Sequence, residues 1–256
     1  YVKVLEYLEV GIVEYCNLNC KGCSHFSPLA KRSSMVTVEG YEKDIKRLSE
    51  LIPVIYKIRL LGGEPLLHPD LNRIVEITRK YYPYSDICIV TNGLLLTSVK
   101  NLELWSDYNI KIDISLYPPT ELIKDEIKSL LDSKKIRYEF TPSIREFRKM
   151  LDKSGSQNVN ESYDRCTVGK KCKYLYKGML SGCPAPNVGR IFDRTYNYSL
   201  ACNEDLIDIH HTSLRVEEIV EKLNSPLKTC RVCTNPEVFK WENSHGNCSE
   251  NDWIVE

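Results

Sequence analysis

The chain has 256 residues, 42% of them apolar, with 35 Lys plus Arg against 35 Asp plus Glu and a formal net charge of zero. That balance excludes the broad basic footprint of a nucleic-acid binder and the polybasic patch of a membrane-surface protein. No stretch approaches the roughly eighteen apolar residues of a membrane span, and the opening YVKVLEYLEV lacks the apolar core of a signal peptide, so a cytoplasmic protein is expected, its eleven cysteines reduced and serving metal or cluster chemistry rather than disulfides.

In chain order, LEVGIVEY (8–15) predicts a strand, and TVEGYEKDIKRLSELI (37–52) a helix with Ile45, Leu48, Leu51 and Ile52 on one face. IYKIRLLG (55–62) predicts a strand. HPDLNRIVEITRKYYP (68–83) predicts a helix, with Pro69 near its first turn and Pro83 past its end. Strands follow at 86–93, 110–116 and 136–141, separated by helices at 98–109 and 119–134. Repeated βα units of this kind imply a parallel sheet with right-handed crossovers. The fold class is therefore α/β, a partial (β/α)6 TIM-like barrel over 1–153. The rhythm breaks in the polar stretch SGSQNVNESYD (154–164), and 154–256 is expected to form a small cysteine-rich domain.

Cys16, Cys20 and Cys23 directly follow the first strand, where the loops of a βα barrel build the active face. Three thiolates bind three irons of a [4Fe–4S] cubane and leave one iron open. A zinc site completed by His25 is the plainer alternative. The spacing C-NLN-C-KG-C resembles the CxxxCxxC signature of the radical S-adenosylmethionine (radical SAM) enzymes. In that family the open iron is chelated by S-adenosylmethionine, whose reductive cleavage yields a hydrogen-abstracting 5′-deoxyadenosyl radical. The segment LLGGEPLLHPDL resembles the family's GGEP element, which implies cofactor-binding roles for Gly62, Gly63, Glu64 and Pro65. Glu64 and Pro65 are also ordinary helix-start and turn residues. By the same resemblance Thr91, Asn92 and Gly93, and Ser115 after Asp113, approach the nucleoside or methionine part of the cofactor, although turn chemistry explains them equally. Arg137 is a further carboxylate partner, with plain exposure as its alternative.

The stretch DRCTVGKKCKYLYKGMLSGCPAP holds Cys166, Cys172 and Cys183, and KTCRVC adds Cys230 and Cys233. YLYKGMLSGC predicts a hairpin turning at Lys177-Gly178. The spacing of Cys166, Gly178 and Cys183 resembles the start of the SPASM and twitch extensions of some radical SAM enzymes. The C-x2-C-x5-C-x3-C run of a full SPASM segment is missing, so the resemblance implies the twitch type with one auxiliary [4Fe–4S] cluster. Cys172, Cys183, Cys230 and Cys233 are the first choice of ligands, Cys166 is the rival, and a zinc ribbon is the plainer reading. Cys88 is expected to be a core thiol, while Cys202 and Cys248 are candidate hydrogen-atom donors to a substrate radical. Trp241 and Trp253 read as packing anchors, and the His210-His211 pair as surface residues.

Twitch enzymes of this size resemble 2-deoxy-scyllo-inosamine dehydrogenase and related sugar-tailoring enzymes. That implies C–H abstraction from a sugar, nucleotide sugar or aminocyclitol, ending in epimerisation, dehydrogenation or dehydration, with a flavodoxin- or ferredoxin-type reductant as partner. Two other functions fit less well. A maturase of ribosomally made peptides often adds an N-terminal recognition domain, whereas here the first strand lies within the first dozen residues. A non-catalytic iron–sulfur or zinc module leaves the three-thiol loop and GGEP unexplained.

Overall fold

The computed structural model describes residues 4–168 and 170–255. Its contacts group the chain into two compact units, one formed by Tyr1–Val13 with Met35–Arg145, the other by Glu14–Ser34 with Glu146–Glu256.

The first unit alternates strand and helix: β1 (Val4–Val13), α1 (Val38–Leu51), β2 (Val54–Gly62), α2 (Leu71–Tyr81), β3 (Asp86–Thr91), α3 (Glu103–Asp107), β4 (Lys111–Ile114), α4 (Pro118–Glu121), α5 (Lys124–Ser133) and β5 (Arg137–Phe140). Its strands are parallel neighbours in the order β5-β4-β3-β2-β1. This is the mixed α/β architecture expected from the sequence. Side chains alternate across the sheet. Leu8, Val10 and Ile12, Ile58 and Leu60, Ile87 and Ile89, and Ile112 and Ile114 make one fully buried face, completed by Tyr41, Ile45 and Leu48 of α1 and Ile74 and Val75 of α2. Each such side chain contributes about 1.5–3 kcal/mol through burial. The other face carries Tyr7, Glu9, Arg59, Cys88, Lys111 and Asp113.

Three boundaries differ from expectation. The segment 98–109 is helical only over α3, because Asn101 takes a left-handed φ of 57° and interrupts it after a 3-10 turn at Leu96–Ser98. The segment 119–134 is split into α4 and α5; the break lets Thr120, wholly buried, give its hydroxyl to the Asn92 carbonyl at 2.6 Å. The helix expected from 68 begins at Leu71, with Pro69 just before the N-cap Asp70, and His68 Nδ1 accepts the Asp70 N–H at 3.1 Å.

The second unit holds the loop from 14 to 34, then β6 (Glu146–Asp152), α6 (Val159–Arg165), β7 (Tyr174–Tyr176), β8 (Met179–Ser181), α7 (Ala185–Tyr196), β9 (Ile207–Asp208), α8 (Val216–Leu223), β10 (Cys233–Lys240) and β11 (Ile254–Val255). β7 and β8 form the expected hairpin, Tyr176 facing Met179. Lys177 and Gly178 have φ of 48° and 76°, the two left-handed residues of a type I′ turn. β6 is flanked by antiparallel β10 and parallel β11. The sequence reading missed β6, whose charged, half-exposed EFRKMLD pattern carries little apolar signal. Trp253, 3% exposed, packs on Phe26 and Phe192 with ring centroids 5.7 Å away in each case, confirming it as an anchor.

Candidate functional site

In the first unit the strand ends are tied together by the GGEP segment. Gly62 has a φ of 147°, and a Cβ there would stand 2.0 Å from the Val13 carbonyl oxygen. No side chain fits, so the ends of β1 and β2 are drawn together, and Gly63 N–H donates to that same carbonyl at 2.6 Å. Glu64 follows and is wholly buried. One carboxylate oxygen accepts from Leu66 N–H at 3.0 Å and the Thr91 hydroxyl at 2.7 Å, and the other from Asn92 N–H at 2.8 Å. Its role as start of the 3-10 turn Pro65–Leu67 is real but minor beside the clamp it places on the end of β3. Burial pushes the Glu64 carboxyl up to about 7, against the pull of its three hydrogen bonds. The clamp continues outward: Thr91 Oγ1 accepts Gly93 N–H at 2.9 Å, and the Thr91 carbonyl accepts Ser115 N–H at 2.8 Å. The structure thus links Glu64, Thr91, Asn92, Gly93 and Ser115 in one hydrogen-bonded chain across the ends of β2, β3 and β4, with Gly62 and Gly63 set against the Val13 carbonyl beside it. Pro65, also buried, opens the turn beyond them.

Below these ends runs a polar network absent from the sequence reading. Tyr7 Oη donates to Glu9 at 2.6 Å and accepts from Arg59 at 3.0 Å, and Arg59 pairs with Asp113 at 3.2 Å. Lys111 meets Asp113 at 3.1 Å. Burial works to raise the Asp113 carboxyl, but the Cys88 thiol, Lys111 and Arg59 hold it below the usual carboxylate range. The signal was present in the sequence as polar and charged residues at alternate positions of otherwise apolar strands (Tyr7 and Glu9, Lys57 and Arg59, Lys111 and Asp113). Cys88, 0% exposed, is the core thiol expected. Arg137 is not a free carboxylate binder: it is taken up by Asp86 at 3.0 Å and the Asn109 carbonyl.

In the second unit the three-thiol loop follows β1 in the chain. Cys16 Sγ accepts Leu18 N–H at 3.4 Å. Cys20 is buried; desolvation pushes its thiol up, and the charges of Cys23 and Cys16 push it further. Cys20 within electrostatic reach of both Cys16 and Cys23, at four-residue and three-residue spacings, suits three corners of a cubane. His25 packs against Tyr174 at a tilt, with ring centroids 5.8 Å apart. Among the described residues, no three His, Cys, Asp or Glu side chains converge on a point as one metal ion requires; a cubane is gripped at separate corners.

The second cysteine field lies in the same unit. The Cys183 thiol is raised by burial and then by Cys233, Cys166 and Cys230, while Cys233 is pushed up to about 12 by burial, Cys230 and Cys166. The Cys172 and Cys183 thiols both act on Lys173, whose ammonium donates to the Leu223 carbonyl at 2.6 Å. Cys202 donates to Glu204 at 2.8 Å on the surface. Cys248 is half-buried within electrostatic reach of Cys23.

The Radical SAM superfamily profile matches residues 10–158, more than half of the chain. The chain belongs to the radical SAM superfamily. Membership implies a [4Fe–4S] cluster and S-adenosylmethionine as cofactors, and the thiol loop is chemically fit for the former. Two curated relatives are named GTP 3′,8-cyclase. The one from Sulfurimonas denitrificans is 31% identical over 141 residues, 52% of this chain and 43% of its own. The one from Aquifex aeolicus is 35% identical over 96 residues, 36% of this chain and 29% of its own. The chain therefore spans less than half the length of either relative. The solved structure of BtrN in complex with AdoMet and 2-DOIA is similar over 90% of this chain and 93% of that one, with a TM-score of 0.52 and 20% identity, a likeness of fold. No helix among the described residues is long and apolar enough to cross a membrane.

Proposed function

We propose that the chain is a radical SAM enzyme that abstracts hydrogen from a C–H bond of a sugar, nucleotide sugar or aminocyclitol. The observation that carries the reading is the pair of motifs in their structural settings: three thiols directly after β1, with Cys20 within electrostatic reach of the other two, and a GGEP segment whose buried Glu64 locks the end of β3. When bound, the cluster and S-adenosylmethionine supply a 5′-deoxyadenosyl radical. This chain's residues hold and shape the site. Cys16, Cys20 and Cys23 ligate three irons. The Gly62–Gly63 backbone, Asn92 and Ser115 receive the methionine and nucleoside. Glu64 keeps those strand ends in register.

The substrate class is supported by the fold shared, over nearly the whole length, with a structure solved with AdoMet and 2-DOIA. The polar sheet face suits a hydroxyl-rich molecule, Arg59 Nε being buried there without a hydrogen-bond partner. A second reading is cyclisation of a nucleoside triphosphate, favoured by identity to relatives named GTP 3′,8-cyclase over the first half of the chain. Residues 154–256 carry an auxiliary cluster of twitch type. Its ligands are Cys166, Cys183, Cys230 and Cys233, since Cys166, Cys230 and Cys233 all act on Cys183. Cys172 is the alternative to Cys166. A flavodoxin- or ferredoxin-type protein supplies the electron, and neither nucleic acid nor membrane is a partner. Cys248 is preferred to Cys202 as hydrogen donor in an epimerisation, for its place beside Cys23.

The test is anaerobic incubation of reconstituted protein with dithionite and S-adenosylmethionine. 5′-Deoxyadenosine and methionine should form, and not with Cys16→Ala. Deuterated sugars, nucleotide sugars and aminocyclitols, run beside GTP, then identify the substrate by deuterium transfer into 5′-deoxyadenosine. Transfer from GTP alone would replace the first reading by the second. Iron analysis should give about eight per chain, from two cubanes, falling to about four in Cys166→Ala and staying at about eight in Cys172→Ala. About four irons with one zinc would refute the auxiliary cluster.

A further inference from the structure

The three-thiol loop does not stand alone. The tail between Phe239 and Trp253 runs along it as a strap. Cys20 and Asn243 form an antiparallel bridge. Lys21 N–H donates to the Glu242 carbonyl at 3.0 Å, and Ser244 N–H to the Asn19 carbonyl at 2.8 Å. The Asn243 side-chain amide donates to the Leu18 carbonyl at 2.7 Å, while its oxygen accepts His245 N–H at 2.7 Å. Lys21 pairs with Glu242 at 3.0 Å. Trp253 Nε1–H closes the far end on the Cys23 carbonyl at 2.8 Å. The approach is tight: Gly22, at a φ of 66°, has no room for a Cβ, which would stand 2.6 Å from Phe239 Cζ and 2.9 Å from the Asp252 carbonyl.

A loop of eight residues with three ligands has no regular structure to fix its sulfurs, so its carbonyls and N–H groups need partners from elsewhere. Here every partner named comes from a segment more than 200 residues further along the chain. Groups that orient ligands and hydrogen-bond their sulfurs control both retention and potential of a metal site.

We infer that the C-terminal strap is the outer shell of the three-thiol site, with Asn243 and Trp253 as positioning residues that hold the loop by its Leu18 and Cys23 carbonyls. This rests on the reading of Cys16, Cys20 and Cys23 as cluster ligands. The experiment therefore follows the cluster whose electron paramagnetic resonance signal changes on adding S-adenosylmethionine, in anaerobically reconstituted full-length protein. Trp253→Phe keeps the ring and removes only the N–H; Asn243→Ala removes the amide. Each should speed loss of the responsive signal to an iron chelator by roughly 10–100-fold. Trp253→Phe should also shift that cluster's midpoint potential to more negative values, because the N–H dipole it removes sits on the carbonyl of the ligand Cys23. A merely structural role would leave the potential unmoved. Thermal unfolding of each metal-free variant checks that the fold is kept, and either variant serves if the other fails that check. A wild-type protein without a responsive signal overturns the cluster reading and the strap with it. A wild-type signal, with variants matching it in release rate and potential, overturns the strap alone.

Discussion

Replacing Glu64 by Gln tests the strand-end clamp without entering the cofactor chemistry. The wild-type carboxyl titrates at about 7 because burial outweighs its three hydrogen bonds, whereas in the unfolded chain it titrates near 4.3. The folded state therefore holds a proton that the unfolded state has lost, and stability falls as pH rises between those values. Below about 4.3 both states are protonated and the effect is absent; above about 7 it is complete. Linkage over a window from pH 5 to pH 8 gives a loss of about 2–3 kcal/mol. Gln cannot titrate, so its stability lacks this slope. Its amide would face Asn92 N–H, donor to donor, which costs about 1–3 kcal/mol at every pH. The variant should thus be the less stable protein near pH 5 and gain on wild type by about 2–3 kcal/mol by pH 8. Urea unfolding of the metal-free proteins across that window reads the difference. A wild-type minus variant difference that stays flat would refute the buried, raised carboxyl and with it the clamp as described.

Gly62→Ala should be among the most damaging single changes in the first unit, since its Cβ meets the Val13 carbonyl oxygen at 2.0 Å and backbone cannot yield cheaply; a melting scan should show losses beyond the 3 kcal/mol of an ordinary core mutation. Lys177→Asn should stabilise the β7–β8 turn by about 0.5–1 kcal/mol, because Asn accepts the left-handed φ of 48° better than Lys, and Gly178→Ala should have the opposite sign in the same urea series. Cys202→Ala should leave any epimerised product unchanged while Cys248→Ala abolishes it with S-adenosylmethionine cleavage intact; product from both variants would remove the donor assignment.

The elements best read from sequence are those whose signal is local. The parallel strands β1 to β5 announce themselves by β-branched runs, and the Lys177–Gly178 hairpin by its turn and flanking strands. Failures have local reasons as well. α3 shrinks because Asn101 takes a left-handed φ that its residue type permits but does not require. β6 was invisible because its partners β10 and β11, and not its own alternation, make it a strand. The site was legible as a list of residues and illegible as a set of links. Glu64 could be named from GGEP, but nothing near it in sequence says that its carboxylate reaches Thr91 and Asn92, 27 and 28 residues on.

The same limit explains why a linear cut at 153 and the grouping by contact divide the chain differently. Residues 14–34 interrupt the first unit in sequence and group with 146–256. What ties them there is largely backbone, Lys21 to Glu242 and Ser244 to Asn19, with the Trp253 indole reaching the Cys23 carbonyl. Backbone donors and acceptors are the same for every residue but proline, so such a pairing leaves almost no mark on composition or periodicity. Gly22 is the exception. Within C-KG-C it reads as a turn residue, yet its side-chain-free surface is what Phe239 and Asp252 require. A glycine inside a ligand loop is therefore informative in a way its neighbours are not: it reports close approach by something, and the strap identifies that something as the chain's own tail.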